Sequence, residues 1–357
     1  MQTVVVGMSG GVDSSVAAYL LKQQGYNVIG IFMHNWEEEI GGHCCAEEDY
    51  EDVKRVCAKL DIPYYTVNYS KEYYKRVFKR FLEEYEKGRT PNPDVLCNRE
   101  IKFGPFLEHA LKLGADFIAT GHYAGVERKG GLSYLVKAAD KDKDQTYFLC
   151  QLTQDQLSRT LFPLEKMQKS QVRQIARNLG LSTAEKKDST GICFIGERKF
   201  REFLTNFLPA KRGDILTSDG KKVGEHEGVM FYTLGQRRGL GIGGVKAGGE
   251  GRWFVYDKDV KNNILYVEQG SEEKLYSRSL ICDEVNWIPR TPKEREFLCT
   301  AKVRYRQPEQ KCRVKIDGEK VFVEFFDRQR AVACGQYVVF YDGNYCIGGG
   351  CIEAVYK

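Results

Sequence analysis

Three short stretches of this 357-residue chain carry residue types that do chemistry together. The run Gly7-Met8-Ser9-Gly10-Gly11-Val12-Asp13-Ser14-Ser15 follows an apolar stretch and opens an amphipathic one. Glycines there let backbone N–H groups converge on one anion, a helix N-terminus adds partial positive charge, and serine hydroxyls supply further donors. The ligand that suits them is a phosphate. The string is neither G-x-x-x-x-G-K-S/T nor G-x-G-x-x-G, so a Walker loop and a Rossmann dinucleotide loop both fit it badly. Farther on, Thr90-Pro91-Asn92-Pro93-Asp94-Val95-Leu96-Cys97-Asn98 sets a thiol after a proline-braced loop and before a helix expected to begin near Glu100. A cysteine just ahead of a helix start can be acidified and nucleophilic. Cys193 sits in Ser189-Thr190-Gly191-Ile192-Cys193-Phe194-Ile195-Gly196, an apolar run between glycines that reads as a mobile loop. The other cysteines, Cys57, Cys150, Cys282 and Cys299 among them, lack such surroundings and read as small buried hydrophobes.

The elements that must position these residues follow from periodicity. From residue 3 to about 123, strand-like runs (VVVG at 4–7, VIGIFM at 28–33, YYTVNY at 64–69, FIATGHY at 117–123) alternate with helical stretches at 14–24, 47–60, 71–87 and 100–113. That alternation predicts an α/β unit with a doubly wound parallel sheet and its ligands at the carboxyl ends of the strands. Near residue 205 the character changes. A glycine-rich stretch and the short runs RWFVYD and ILYVEQ predict a small β-rich central domain, and the closely spaced strands after about 279 predict a small C-terminal β-barrel or sandwich. The expected division is 1–205, 206–278 and 279–357.

Composition narrows the setting. A hydrophobic share of 42% with 29% charged residues fits a soluble globular protein of two or three domains. No stretch approaches the roughly 18 unbroken apolar residues of a membrane span, so no membrane partner is expected. The start, MQTVVVGMSGG, lacks the charged beginning and small-residue cleavage site of a signal peptide, which predicts a cytoplasmic protein with reduced thiols. The net charge of +5 is modest, but basic clusters at 71–80, 166–177, 197–201 and 302–313 interleave with aromatics. Cations neutralise phosphates and aromatic faces stack on unpaired bases, so the clusters predict a nucleic-acid partner.

The string S-G-G-V-D-S in this position resembles the pyrophosphate loop of the ATP pyrophosphatase superfamily, whose members adenylate an oxygen and release pyrophosphate. The resemblance implies ATP with Mg²⁺ as cofactors, Asp13 helping to hold the metal, and Met33 and Gly121 against the adenosine. The further words P-N-P-D-x-x-C-N, T-G-H-Y, K-D-Q-T-Y-F-L, S-T-G-I-C-F-I-G-E-R and Y-T-L-G-Q-R-R-G-L-G-I, in that order, resemble the tRNA-specific 2-thiouridylase family over almost the whole chain. That family implies thiolation at C2 of the wobble uridine of tRNA, with sulfur supplied as a persulfide by a donor protein such as a cysteine desulfurase or a sulfur relay protein. On the same resemblance Cys193 holds the persulfide, and Cys97 releases its sulfur or closes a disulfide with it. Asn92, Pro93 and Asp94 meet a flipped-out base, with Asp94 as general base. His122, Lys143, Asp144, Gln145, Arg304, Tyr305 and Gln336 contact tRNA. Two departures stand out. Family members commonly continue T-G-H-Y with Ala-Arg, whereas Ala124 is followed here by Gly125. His43-Cys44-Cys45 is a possible metal or cluster cue without C-x-x-C spacing. A ligase or amidating synthetase sharing the loop, and an RNA-binding scaffold with a vestigial nucleotide fold, are the competing readings. The first needs no paired thiols and the second needs no ATP binding.

Overall fold

The computed structural model describes residues 1–36, 45–188, 200–242 and 251–357. Cys193, His43 and Cys44, like the side chain of Cys45, lie outside the described residues.

Four of the early strands form as expected. They are β1 (Thr3–Met8), β2 (Asn27–His34), β3 (Tyr64–Asn68) and β4 (Phe117–Ala119), followed by the hairpin β5 (Gly125–Lys129) and β6 (Leu132–Val136), and then β7 (Thr160–Leu161). One sheet runs in the order β3-β2-β1-β4-β7 with every pairing parallel. Its central strand, Val4-Val5-Val6, is wholly buried because both faces are covered. Val4, Val6 and Met8 pack on the side of α1 (Val12–Gln23) and α2 (Cys45–Leu60), while Val5, Ile31 and Ile118 pack with Phe78, Phe81 and Phe106 on the other. A continuous β-branched run is what a strand covered on both sides requires.

Two expectations are corrected. FIATGHY is a strand only as far as Ala119, and Thr120–Tyr123 are the loop at its carboxyl end. The helix expected at 100–113 begins earlier: a turn at Pro93–Cys97 runs into π-helical Asn98–Lys102, and Pro105–Lys112 follows separately. Pro93 and Pro105 each occupy an opening position, where the missing N–H is no loss.

The later strands are β8 (Gly213–Leu216), β9 (Lys222–His226), β10 (Trp253–Asp259), β11 (Ile264–Gln269), β12 (Tyr276–Trp287), β13 (Glu296–Lys302), β14 (Gln310–Asp317), β15 (Lys320–Arg330), β16 (Tyr337–Asp342) and β17 (Tyr345–Tyr356). The first four make a small sheet, β10-β11-β8-β9. The last six run β12-β15-β14-β13-β16-β17 and close through β12–β17 into a barrel. Strict alternation along β14 and β15 turns Cys312, Val314, Val321, Val323 and Phe325 inward. The hairpin β5–β6 leaves the parallel sheet and joins the barrel edge, Leu135 opposite Cys346 and Val136 opposite Tyr345. Among the described residues no helix is long and apolar enough to cross a membrane.

Candidate active site

The phosphate loop sits at the carboxyl end of β1, the central strand, where ligands of open parallel sheets bind. Gly10 has φ +72°, and a Cβ there would come within 2.5 Å of the Asp49 carbonyl oxygen in α2, so only glycine fits. Gly11 opens α1 with no side-chain cap, which leaves the first amides of the helix available to an anion. Ser14 Oγ donates to the Gly11 carbonyl at 3.1 Å and accepts from Ser9 N–H at 3.2 Å, fixing the loop's curve, while Ser9 itself is exposed. Met8 and Val12 are buried in the core, so they offer a ligand their backbone only. A Cβ on Gly7 would meet Met33 Cε at 3.2 Å, and one on Gly121 would meet Ser14 N at 2.6 Å. The strand ends therefore bring Gly7, Met33 and Gly121 against the loop from either side. Gly121→Ala is expected to push α1's first turn aside and to weaken ATP binding by at least about tenfold, the cost of one misplaced charge-assisted hydrogen bond. Titration calorimetry with ATP and Mg²⁺ checks this, and unchanged affinity would remove Gly121 from the site.

Asp13, in the first turn of α1, accepts from Tyr123 Oη at 2.9 Å and from Lys169 Nζ at 2.8 and 2.7 Å. Lys169 also pairs with Asp188 at 2.8 Å, and Asp188 is held in turn by Lys143 and Arg173, each at 2.8 Å. Partial burial pushes the Asp188 carboxyl up, but hydrogen bonds from Lys143 and Lys169 and their charges outweigh it and hold it down at about 2. Lys169 and Arg173 belong to the basic cluster at 166–177 that composition assigned to nucleic acid; both turn inward instead. Their role was missed because a helix-face charge pattern does not reveal which carboxylate lies opposite.

Asp94 and Cys97 are the second and last residues of the turn Pro93–Cys97, one helical turn apart and so on one face. Cys97 is buried at 2% exposure and is the last residue of the turn, which runs on into Asn98–Lys102; it does not stand ahead of a helix start, as the sequence suggested. Burial pushes the Asp94 carboxyl above the usual carboxylate range, with Lys102 opposing. Asn92 caps the turn, accepting from Val95 N–H at 3.2 Å. The barrel supplies the brace. Gln336 Nε2 donates to the carbonyls of Thr90 at 2.9 Å and Pro91 at 3.2 Å, its Oε1 accepts from Asn92 at 3.4 Å, and Thr90 N–H donates to the Cys334 carbonyl at 2.9 Å.

Comparison with known proteins bears directly on this arrangement. Family models match residues 2–197 (tRNA methyl transferase HUP domain), 201–269 (tRNA methyl transferase PRC-barrel domain) and 277–352 (aminomethyltransferase beta-barrel domain). The tRNA-specific 2-thiouridylase MnmA of Bacillus subtilis (strain 168) is 58% identical over 99% of this chain and 95% of its own. That of Streptococcus thermophilus is 57% identical over 99% and 96%, and that of Alkaliphilus oremlandii is 58% identical over 99% and 98%. The chain belongs to the tRNA-specific 2-thiouridylase family.

Among the positions that the thiouridylase resemblance assigns to tRNA, His122 lies in the loop Thr120–Tyr123 and Gln145 is hydrogen-bonded to it, whereas Lys143 pairs with Asp188. His122 accepts from or donates to Thr120 Oγ1 at 2.8 Å and lies between Phe103 and Phe162, where burial, aided by the charge of Lys102, holds the imidazole well below its ordinary range and so neutral. Gln145 Oε1 accepts from Tyr123 N–H at 2.9 Å. Tyr305 packs on Phe148 with centroids 4.4 Å apart. Asp144 and Arg304 behave differently. The Asp144 carboxylate is buried and accepts from Ala138 N–H at 3.0 Å and Thr146 Oγ1 at 2.7 Å, so its side chain organises the segment from within. Arg304 lies in the loop after β13, where its guanidinium donates to the carbonyls of Leu234 at 3.2 Å and Ala331 at 2.6 Å, tying the barrel to the central sheet. Charged partners make these bonds strong, and they compete with any phosphate contact by the same group.

Burial accounts for five other thiols, whereas Cys299, read from sequence as buried, is half-buried and its Sγ lies 3.7 Å from Cys312 Sγ. Burial raises Cys57 to about 11 and Cys346 and Cys351 to about 12, and it lifts Cys150 and Cys282 well above the ordinary range. Such thiols are inert at neutral pH.

Proposed function

We propose that the chain is a tRNA-uridine 2-sulfurtransferase: it activates the C2 oxygen of the wobble uridine of tRNA with ATP and replaces it with sulfur carried by Cys193 as a persulfide. The observation that carries this reading is the turn Pro93–Cys97, which sets a carboxyl of raised proton affinity and a buried thiol on one face and is clamped by the barrel's Gln336. The identity to proteins named 2-thiouridylases over nearly the full length supports the substrate.

In the first step the uridine O2 attacks the α-phosphorus of ATP. The O2–P bond forms, the P–O bond to pyrophosphate breaks with its electron pair on the leaving group, and Asp94 takes the proton of N3. The loop amides and Ser9 are placed for the phosphates. Mg²⁺ supplies charge neutralisation, and it fits a site whose protein donor is the single carboxylate Asp13, since this ion takes one or two carboxylates and completes its shell with phosphate and water. Among the described residues no cluster of three or more acidic, histidine or cysteine side chains forms a separate metal cage.

In the second step sulfur replaces the adenylated oxygen at C2 and AMP leaves. In one route the Cys193 persulfide attacks C2, and the Cys97 thiolate then attacks Cys193 Sγ, leaving the outer sulfur on the base and a Cys97–Cys193 disulfide. In the other, Cys97 frees hydrosulfide from Cys193 before C2 is attacked. Both routes end with the disulfide, and an external dithiol, or two thiols, must return two electrons and itself become a disulfide before the next turnover. A cysteine desulfurase or a sulfur relay protein reloads Cys193.

The test is a reaction with ATP, Mg²⁺, persulfide-loaded protein and unmodified tRNA, followed by product analysis and nucleoside mass spectrometry. AMP, pyrophosphate and 2-thiouridine are expected. ADP and orthophosphate as primary products, or thiolation at another atom, would refute the reading.

A further inference from the structure

The loop Gly7–Ser15 contains an acid but no lysine or arginine, unlike loops of the Walker type, whose own lysine reaches the outer phosphates. A triphosphate brings three to four negative charges, and the amides and hydroxyls of the loop carry only dipoles. A cation nevertheless stands at this position, contributed from far along the chain. Lys169 is the first residue of the helix Lys169–Asn178, which packs beside α1. Its side chain is 13% exposed and its Nζ sits within 2.8 Å of both Asp13 oxygens and of Asp188 Oδ1. The backbone is held too, Lys169 N–H donating to Asp140 Oδ2 at 2.9 Å.

The pairing is at odds with the role of Asp13. A carboxylate gripped at both oxygens by one ammonium cannot offer the same lone pairs to Mg²⁺. When Mg²⁺ and ATP arrive, Asp13 and Lys169 must separate, and the ammonium then needs an anionic partner within the reach of a flexible four-carbon stem. Asp188 is one, already in place. The phosphate oxygens beside Asp13 are the other.

We propose that Lys169 is the phosphate-contacting cation of the nucleotide site: in the nucleotide-free chain it neutralises Asp13, and with Mg²⁺ and ATP bound it moves from Asp13 to the oxygens of the departing pyrophosphate while Asp188 retains it. As the P–O bond breaks, the electron pair passes to pyrophosphate and the ammonium stabilises the added charge, so Lys169 touches the reacting group. Asp188, paired with Lys143 and Arg173 as well, remains anionic through the exchange and is a positioning residue. This assignment rests on the ATP reading proposed above.

The test uses the full-length chain, with Mg²⁺-pyrophosphate and Mg²⁺-ATP as probes in calorimetry and AMP formation measured beside them. Lys169→Met is expected to weaken Mg²⁺-pyrophosphate binding by about 10- to 100-fold, the worth of one charged hydrogen bond, and to slow AMP formation further. Lys169→Arg, which keeps the charge, is expected to regain much of the binding. If Lys169→Met does not fold, the arginine variant and an Asp13→Asn/Lys169→Met double variant, which removes both charges, carry the measurement. A double variant that binds pyrophosphate about 10- to 100-fold more weakly than Asp13→Asn alone supports a direct phosphate contact, and one that binds it as Asp13→Asn does would overturn it. A lysine variant that binds pyrophosphate as the unmodified protein does, and loses only melting temperature, would make Lys169 a structural tie and overturn the proposal. Unmodified protein that binds neither probe would overturn the ATP reading, and the assignment with it.

Discussion

Cys193→Ser protein is expected to form AMP from ATP whenever tRNA is present and to deliver no sulfur at all. Adenylation needs the loop, Asp13 and Asp94, none of which depends on Cys193 in the proposed sequence of steps, whereas a serine hydroxyl cannot carry a persulfide. Cys97→Ser is the complementary case. It should still load sulfur on Cys193, and it should thiolate tRNA slower by on the order of 10³-fold or more, the scale on which the loss of a covalent nucleophile is felt. Cys97 is buried on the turn Pro93–Cys97, so the near-isosteric serine leaves the packing in place and the loss reports chemistry. Unmodified enzyme stopped after one turnover without reductant should contain a Cys97–Cys193 disulfide. Peptide mapping that finds the persulfide on Cys97, or a fully active Cys193→Ser enzyme, would overturn this division of roles.

What the sequence made legible is what local rules govern. β1, α1 and the loop between them were readable because a β-branched run, two glycines and an amphipathic period are all short-range signals. Five of the six barrel strands were readable as closely spaced runs between turn signals, and β14 and β15 alternate strictly; β12, which starts at Tyr276, was not among them. What stayed hidden depends on partners far apart in the chain. The hairpin β5–β6 was not read from the sequence, and only its pairing with β17 assigns it to the barrel edge. Gln336 reaches Thr90 and Asn92 across roughly 245 residues, and Lys169 reaches Asp13 across 156. The resemblance names Asp144 as a tRNA position, but only the structure shows that its carboxylate is buried on the Ala138 amide and the Thr146 hydroxyl, partners that no local pattern reveals.

The same long-range contacts explain how two chemically separate regions act together. Asn98 Nδ2 donates to the Phe148 carbonyl at 2.9 Å, and Tyr147 Oη donates to the Tyr337 carbonyl at 2.9 Å. The segment Lys143–Leu149 therefore lies between the turn Pro93–Cys97 and barrel strand β16, with Tyr305 stacked on it.

Asp94→Asn is expected to slow AMP formation by about 10² to 10⁴-fold, the range typical of a lost general base. Removing Asp94 from water raises its proton affinity, and the charge of Lys102 only partly offsets that. A carboxylate raised toward neutrality is a better proton acceptor than an exposed one, yet ionised enough to act. The sign of the pH dependence follows: the rate should fall as pH drops through the raised folded-state value, because the protonated acid cannot accept the N3 proton, and the asparagine variant should show no such limb. Stability should move the other way. A folded-state pKa above the unfolded value, about 3.9 for an aspartate, means that ionisation favours the unfolded chain, so stability falls as pH rises from the unfolded to the folded value and stays low above it. An amide does not ionise, and at pH 7 Asp94→Asn should therefore melt at the same temperature or higher while being nearly inactive. Single-turnover AMP formation across pH, with melting curves on the same samples, measures both. A variant that is both active within a few-fold and flat in pH would remove Asp94 as the base, and one that loses activity together with melting temperature would make it a structural carboxylate.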